Sequence, residues 1–257
     1  MIANYHTHTP RCHHAGGSER EYIENAIELG FCELGFADHA PMPFGNGHVS
    51  GIRMSLGETE DYVNTLLDLR REYEKDIKIF IGFEAEYYPA VFDRFIDFIG
   101  QYPIDYIIMG QHCQNNEYDG GWYGAPTESE DFLRAYVDQV TEGLSSGKFS
   151  YLAHPDLPNF KGDREIYQRE MRRLIEYANG ASIPLEINML GAQEGRHYPN
   201  PDFWAVASEL GATAIIGCDA HQPRDIVQNT DVERVVKLIE SNPGLKILDT
   251  LNFKPIK

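Results

Sequence analysis

"IKIFIGFE", residues 77–84, is an almost uninterrupted apolar run that ends at a carboxylate. A strand with one face in water alternates apolar and polar residues, whereas a continuous run of this length is typical of a strand buried on both faces of a parallel sheet. Six similar runs lie at residues 2–6, 33–38, 105–110, 149–154, 183–188 and 213–219. The sequence therefore predicts a parallel sheet of seven buried strands.

Amphipathic stretches separate these runs, and several of them end at a glycine. The first stretch, residues 18–30, begins at Ser18 with Glu21 close behind it, which approaches the capping-box pattern of helix starts. The other predicted helices lie at residues 56–76, 88–102, 129–147, 164–180, 201–211 and 231–241. Alternating strands and helices imply βαβ units, so we predict an α/β fold of the (β/α) barrel type with seven strands.

The bulk composition narrows the class of protein. A chain of 257 residues with 42% apolar residues fits one large α/β domain spanning residues 1–257, and no apolar run approaches the ~18 residues of a membrane helix. A net charge of −18 argues against a long nucleic acid or an anionic membrane as partner. Four dispersed cysteines and the absence of a signal-peptide pattern predict reduced thiols and a cytoplasmic location.

A histidine or a carboxylate stands at the end of nearly every predicted strand. These residues are His6 and His8, Asp38 and His39, Glu84 and Glu86, His112, His154 and Asp156, Glu186 and Asn188, and Asp219 and His221. One such residue is ordinarily a loop histidine bonded to backbone, or an aspartate that caps the next helix. Because functional groups of parallel barrels gather at the carboxyl ends of the strands, the repeated pattern instead predicts one shared site.

The first loop adds more imidazole, since "HTHTPRCHH" at residues 6–14 holds four of the ten histidines. Residues i and i+2 of a strand point to the same face, so His6 and His8 can reach one ion. Ordinary surface or core histidines remain the alternative for such a pair taken alone. The other strand ends make a metal site the better interpretation.

The predicted ligands are His6, His8, His14, His39, Glu84, His112, His154, Asp219 and His221. Histidine with carboxylate suits zinc, manganese or iron and is a poor set for calcium or magnesium. Nine ligands are too many for one ion, which binds about three or four protein groups, and fit two or three ions. Clustered divalent ions that share a bridging hydroxide are suited to hydrolysis of phosphate esters.

The ordered motifs "HTHT", "ADHAPMP", "AHPD" and "GCDAH", with "GFEAE" and "GQH" between them, resemble those of the PHP (polymerase and histidinol phosphatase) superfamily, within it the histidinol-phosphatase type. The resemblance covers essentially the whole chain and implies a distorted, TIM-like (β/α)7 barrel with three metal ions. It divides the ligands into His6, His8, Glu84 and Asp219 for one ion, the bridging Glu84 with His112 and His154 for a second, and His14, His39 and His221 for the third. The family spacing from His8 selects His14 rather than His13.

By the same resemblance, the predicted activity is conversion of L-histidinol phosphate to L-histidinol and phosphate in histidine biosynthesis. A metal-bound hydroxide would attack phosphorus, so no protein general base is required. Asp38 and Asp156 are candidates to orient ligands. The candidates for binding substrate are Arg196, Arg53, Lys161 and His197, with exposed surface residues as the alternative interpretation.

The chain departs from the family pattern at two places. It has Gly110-Gln111-His112 where many relatives carry Ser-Val-His, and Lys161 where some relatives carry an arginine. A lysine cannot hold phosphate in a bidentate manner, so the substrate stays open. The alternatives are another small phosphate ester, such as a nucleotide or short oligonucleotide, and a non-enzymatic metal-binding regulatory domain. The absence of a polymerase domain weakens a third, a proofreading exonuclease module.

Overall fold

The computed structural model describes residues 1–256 and alternates parallel strands with helices. The strands are β1 (Ala3–Asn4), β2 (Glu33–His39), β3 (Lys78–Ala85), β4 (Tyr106–Met109), β5 (Leu185–Asn188), β6 (Thr213–Gly217) and β7 (Lys246–Ile247). The helices are α1 (Glu19–Glu28), α2 (Thr59–Glu72), α3 (Phe92–Ile99), α4 (Glu130–Ser145), α5 (Arg164–Gly180), α6 (Met189–Gln193), α7 (Pro201–Glu209) and α8 (Glu233–Ser241). Each predicted helix is present, with ends shorter by a few residues where the chain enters loops.

The strands form two parallel sheets, β1-β2-β3-β4 and β5-β6-β7. On one side Leu152 joins them, because it pairs in parallel with Met109 of β4 and with Leu185 of β5. On the other side Thr7, just after β1, pairs with Ala220, just after β6. The predicted distorted (β/α)7 barrel is confirmed.

Three local features differ from the sequence-based prediction. The fifth predicted strand, residues 149–154, pairs only through Leu152, so this part of the barrel wall is irregular. Strand β7 and helix α6 were not predicted. Both are too short for a periodic pattern to show, with two residues in β7 and five in α6.

The helices bury one face each against the barrel. Helix α1 begins at a capping box, in which the Ser18 backbone N–H donates to the Glu21 carboxylate over 2.6 Å. Tyr22, Ile23 and Ala26 of this helix are fully buried, as the 3.6-residue period requires. In the described part of the chain, no helix combines the length and the apolar character needed to cross a bilayer.

Aromatic rings fill the barrel interior at the amino ends of the strands. Tyr5, Tyr106 and Tyr151 are each at most 1% exposed and pack in one cluster. Two glycines make room for the central ring, since a Cβ atom would lie 2.3 Å from Tyr106 Oη at Gly35 and 2.6 Å from Tyr106 Cε1 at Gly82. The interior is therefore a packed core that supports the opposite, carboxyl end of the barrel.

The C-terminal segment packs against this aromatic cluster. The ring centroid of Phe253 lies 5.2 Å from that of Tyr5, 4.9 Å from that of Phe80 and 4.5 Å from that of Tyr106. We expect Phe253→Ala to lower the free energy of unfolding by about 2 kcal/mol, less than the roughly 3–5 kcal/mol of a fully buried phenylalanine. Urea unfolding measures this change in free energy. Val49→Ala is the control, because the Val49 side chain is 87% exposed. A loss no larger than that of the control would contradict this packing role.

Candidate metal centre

The nine predicted ligands converge at the carboxyl ends of the strands. Eight of them appear in four triads whose candidate ligand atoms lie within 4.8 Å of one another. These triads are His6-His8-Asp219, His6-Glu84-His154, His8-His39-Glu84 and His14-His39-His221. The ninth ligand, His112, approaches the same cluster, with its Nε2 atom 3.6 Å from Glu84 Oε1.

Glu84 occupies the middle of this cluster. Its Oε1 atom lies 2.7 Å from His154 Nε2 and 3.6 Å from His6 Nε2, and its Oε2 atom lies 3.0 Å from His39 Nδ1. Strand register contributes directly, because His39 of β2 is the residue paired with Glu84 of β3. A carboxylate with different histidines at its two oxygens has the geometry of a bridging ligand.

Asp219 and the first-loop histidines extend the cluster outward. Asp219 Oδ1 lies 3.1 Å from His8 Nε2, and the amide of Asn188 holds the other carboxylate oxygen over 3.0 Å. The His14 ring centroid lies 4.9 Å from that of His221 and 5.2 Å from that of His39. His14 thus reaches from the loop after β1 to the outer part of the cluster.

The chemistry of His6 tests whether these residues fit a cation. Its Nδ1 atom is 2.7 Å from Glu186 Oε1, so the N–H of the neutral ring donates there. The remaining Nε2 atom is buried without a hydrogen-bond partner among residues 1–256, yet it faces Asp219 Oδ1 at 3.4 Å and Glu84 Oε1 at 3.6 Å. An Nε2 atom that faces two carboxylates needs positive charge between them, and a bound divalent ion supplies it.

Shifted pKa values record the same need for positive charge. Burial alone would lower the pKa of His6, but the carboxylates of Glu186 and Asp219 outweigh it and raise that pKa to about 10. Burial also disfavours the charged form of Glu84, yet the surrounding histidines, His112 first among them, hold its pKa well below the usual range. A proton on His6 compensates these carboxylates when no metal is bound, so metal binding is expected to release it and to weaken towards acid pH.

Carbonyl and carboxylate groups fix the ring orientation of several ligands. Beyond the pair of His6 with Glu186, His112 Nδ1 lies 3.0 Å from Glu86 Oε1. His14 Nδ1 donates to the backbone carbonyl of Cys12 over 2.7 Å, and His221 Nδ1 to that of Asp219 over 2.9 Å. Each contact leaves Nε2 free for a metal. Glu86 and Glu186 stand at strand ends in the sequence, but no sequence pattern predicts this orienting role for them.

A pocket of about 450 Å³ opens beside the cluster. Its wall includes seven of the nine predicted ligands, namely His14, His39, Glu84, His112, His154, Asp219 and His221. Arg196, Arg224, Glu194 and Asp225 bring charged side chains to the same pocket, and Trp122 and Tyr198 bring aromatic ones. A small polar molecule can therefore reach the predicted ligands from solvent.

Comparison with known proteins identifies this arrangement. The sequence model of the PHP domain matches residues 4–190. The chain belongs to the PHP domain family. A probable histidinol-phosphatase of Deinococcus radiodurans is 30% identical over 88% of each chain, and the histidinol-phosphatase of Bacillus subtilis is 31% identical over 40% of this chain and 41% of its own.

A solved structure shows the same fold. The histidinol phosphate phosphatase of Lactococcus lactis, determined with zinc, L-histidinol and phosphate, superposes with a TM-score of 0.75 at 19% identity and covers 100% of this chain and 98% of its own. The two proteins therefore share the barrel fold described above.

The two aspartates expected to orient ligands differ in their contacts. Asp38 lies 3.4 Å from His8 Nδ1 and accepts hydrogen bonds from Thr9, as an orienting residue would. Asp156 instead accepts from the backbone N–H of Asn200 over 2.5 Å and from Trp204 Nε1 over 3.0 Å. It anchors the start of α7 in this PHP barrel and makes no hydrogen bond to a predicted ligand among residues 1–256.

Of the four residues expected to bind substrate, only Arg196 lines the pocket. Arg53 is 2% exposed and binds two glutamates, and His197 Nε2 is bonded to the carbonyl of Leu157 over 2.6 Å. Lys161 is exposed outside the pocket. The expectation is corrected for these three, because loop geometry, which the sequence pattern does not encode, directs each side chain elsewhere. Arg224 lines the pocket and was missed.

Gly110 leaves space for the Glu84 carboxylate. A Cβ atom at this position would lie 1.9 Å from Glu84 Oε1. Gly217 does the same for Glu186, since its Cβ would lie 1.9 Å from Glu186 Oε1. Both acidic side chains can hold their observed positions only beside a glycine.

Proposed function

We propose that this chain is a metal-dependent phosphomonoesterase whose substrate is L-histidinol phosphate, with L-histidinol and phosphate as products. The observation that carries the proposal is the ligand cluster beside a pocket whose wall includes seven of the nine predicted ligands and two arginines. The names of the sequence relatives support the same reaction. The neighbour of the same fold was solved with both products and zinc.

The donor set supports three ions of the zinc, manganese or iron class. We assign the first to His6, His8, Glu84 and Asp219, the second to Glu84, His112 and His154, and the third to His14, His39 and His221. Bound divalent ions supply positive charge for the phosphate oxygens and lower the pKa of bound water to about 7. The chain itself then needs to hold the ester in place and needs no general base.

The pocket contains positive and negative side chains, which suits a substrate that has both an anionic and a cationic group. Arg196 and Arg224 can bind a phosphate, since a guanidinium offers paired N–H donors to phosphate oxygens. Glu194 and Asp225 offer carboxylates to a protonated amine or imidazole. Histidinol phosphate has one anionic end and one cationic end, and its size is compatible with a cavity of about 450 Å³.

A substrate panel tests the proposal. The protein, loaded in turn with zinc, manganese or iron, is assayed for phosphate release from histidinol phosphate, phosphotyrosine and nucleotide 3′-phosphates. We expect the largest kcat/KM with histidinol phosphate. A higher kcat/KM with a nucleotide would change the proposed substrate but leave the proposed reaction unchanged. Stoichiometric metal with no turnover of any ester would favour the regulatory-domain alternative.

Arg224 gives this proposal a specific test. Arg196 pairs with Glu194, whereas Arg224 is exposed at the pocket and pairs with no carboxylate in the described residues. We expect Arg224→Ala to raise KM for the ester by about 10-fold with little change in kcat, because one charge-assisted contact to phosphate is lost. Steady-state kinetics measures this, with Arg164→Ala, which breaks an exposed pair with Asp202, as the control. Equal KM values for the two variants would remove Arg224 from the site.

A further inference from the structure

A buried arginine–glutamate pair lies behind the metal cluster. Arg53 Nη2 donates to Glu86 Oε1 over 2.8 Å, and Arg53 Nη1 donates to Glu86 Oε2 over 2.9 Å. The side chains are 2% and 1% exposed. The two residues come from different parts of the chain, Arg53 from the loop after β2 and Glu86 from the end of β3. Such a bidentate pair has one defined geometry.

Glu86, held by Arg53, in turn orients the predicted ligand His112. Its Oε1 atom lies 3.0 Å from His112 Nδ1, while His112 Nε2 faces Glu84 Oε1 at 3.6 Å. On the other side, the Trp122 ring stacks on the imidazole with centroids 5.3 Å apart and an interplanar angle of 6°. The imidazole is thus held at one edge and one face, with Nε2 directed into the cluster.

The pair also keeps Glu86 itself away from a metal. Both Glu86 oxygens accept from Arg53, so neither is free to turn towards the cluster. Arg53 is fixed in turn, because its Nε donates to Glu117 Oε2 over 2.7 Å and its Nη1 donates to the carbonyl of Ala40 over 3.1 Å. Two loops at the rim of the barrel, carrying Ala40 and Glu117, are therefore joined to the orientation of His112.

We propose that Arg53 and Glu86 are positioning residues for His112 and set the affinity of the site for its second ion. This inference rests on the metal centre of the proposed function and is independent of which ester is hydrolysed. Arg53, expected from the sequence to bind substrate, acts from behind the ligands instead. Partners of this kind typically contribute about 10–100-fold to metal affinity.

Glu86→Gln is the direct test, because it keeps the shape of the side chain and leaves Arg53 paired with Glu117. Chelator competition with zinc, together with elemental analysis of the protein, measures how many ions bind and how tightly. We expect one ion to bind about 10–100-fold more weakly, with the others unchanged. Glu170→Gln is the matched control, since Glu170 is 3% exposed and pairs with Arg169 and Arg173 on α5, outside the cluster.

A double variant separates positioning from general destabilisation. If Glu86 acts through His112, then Glu86→Gln should add no further loss of metal affinity to His112→Asn, whereas independent structural effects would add. Arg53→Lys provides a second measurement with the charge retained and the bidentate geometry lost, and we expect a smaller loss at the same ion.

Two results would overturn the inference. One is wild-type affinity for every ion in folded Glu86→Gln and Arg53→Lys, and the other is an additive loss in the double variant. Failure of the metal centre itself is seen separately, because the unmodified protein would then bind no zinc.

Discussion

Glu84→Gln is expected to abolish phosphate release and to remove at least one metal ion per chain. The carboxylate faces His154 at 2.7 Å through one oxygen and His39 at 3.0 Å through the other, so the neutral amide removes the charge shared by both parts of the cluster. The loss of activity should exceed the roughly 10–100-fold typical of outer partners of a metal ligand. Phosphate release and elemental analysis on the same sample measure both effects.

Glu194→Gln is the control for this experiment. Glu194 also lines the pocket, but its side chain is 52% exposed and pairs with Arg196. It should retain all metal even where KM changes. Full metal content in Glu84→Gln would contradict a bridging carboxylate at the centre of the site.

His14→Asn is expected to remove one ion of three and most of the activity. His14 belongs to the triad with His39 and His221, and its Nδ1 is already bonded to the Cys12 carbonyl, which directs Nε2 to the cluster. The adjacent His13 supplies a matched control, because it lies outside the pocket beside the cluster. Its φ of 69° lies in the left-handed region, which asparagine tolerates better than alanine, so His13→Asn is the suitable change.

The two histidine variants together test how many ions the site holds. His13→Asn should keep the metal content and the turnover of the unmodified protein. A His14 variant that binds the same number of ions as the His13 variant would refute the ligand role of His14. It would also reduce the proposed centre to two ions.

The cluster could be predicted from the sequence because most of its residues stand at the ends of strands that the sequence itself reveals. A continuous apolar run such as β3 identifies a buried parallel strand, and the residue that ends it must then lie at the rim with those of its neighbours. The pairing of His39 with Glu84 across β2 and β3 is a direct result of this register. The predicted ligands followed from that geometry without any knowledge of side-chain contacts.

The contacts behind and around the cluster could not be predicted from the sequence in the same way. Arg53 and Glu86 are 33 positions apart and meet through a loop whose path has no periodic signal. Lys161 and Arg224 show the same limit, since both follow barrel strands but only Arg224 lines the pocket. An arginine in a loop has the same sequence appearance whether it binds substrate, a glutamate or water.

Gly110 also limits how this site can change over evolutionary time. Because a Cβ there would lie 1.9 Å from Glu84 Oε1, any residue other than glycine at position 110 requires the Glu84 carboxylate to move. A lineage that acquires a serine at 110 has to place its bridging carboxylate in another rotamer, and a lineage with glycine is free to keep this one. In a relative with serine at this position, the corresponding glutamate is therefore expected to adopt a rotamer different from that of Glu84.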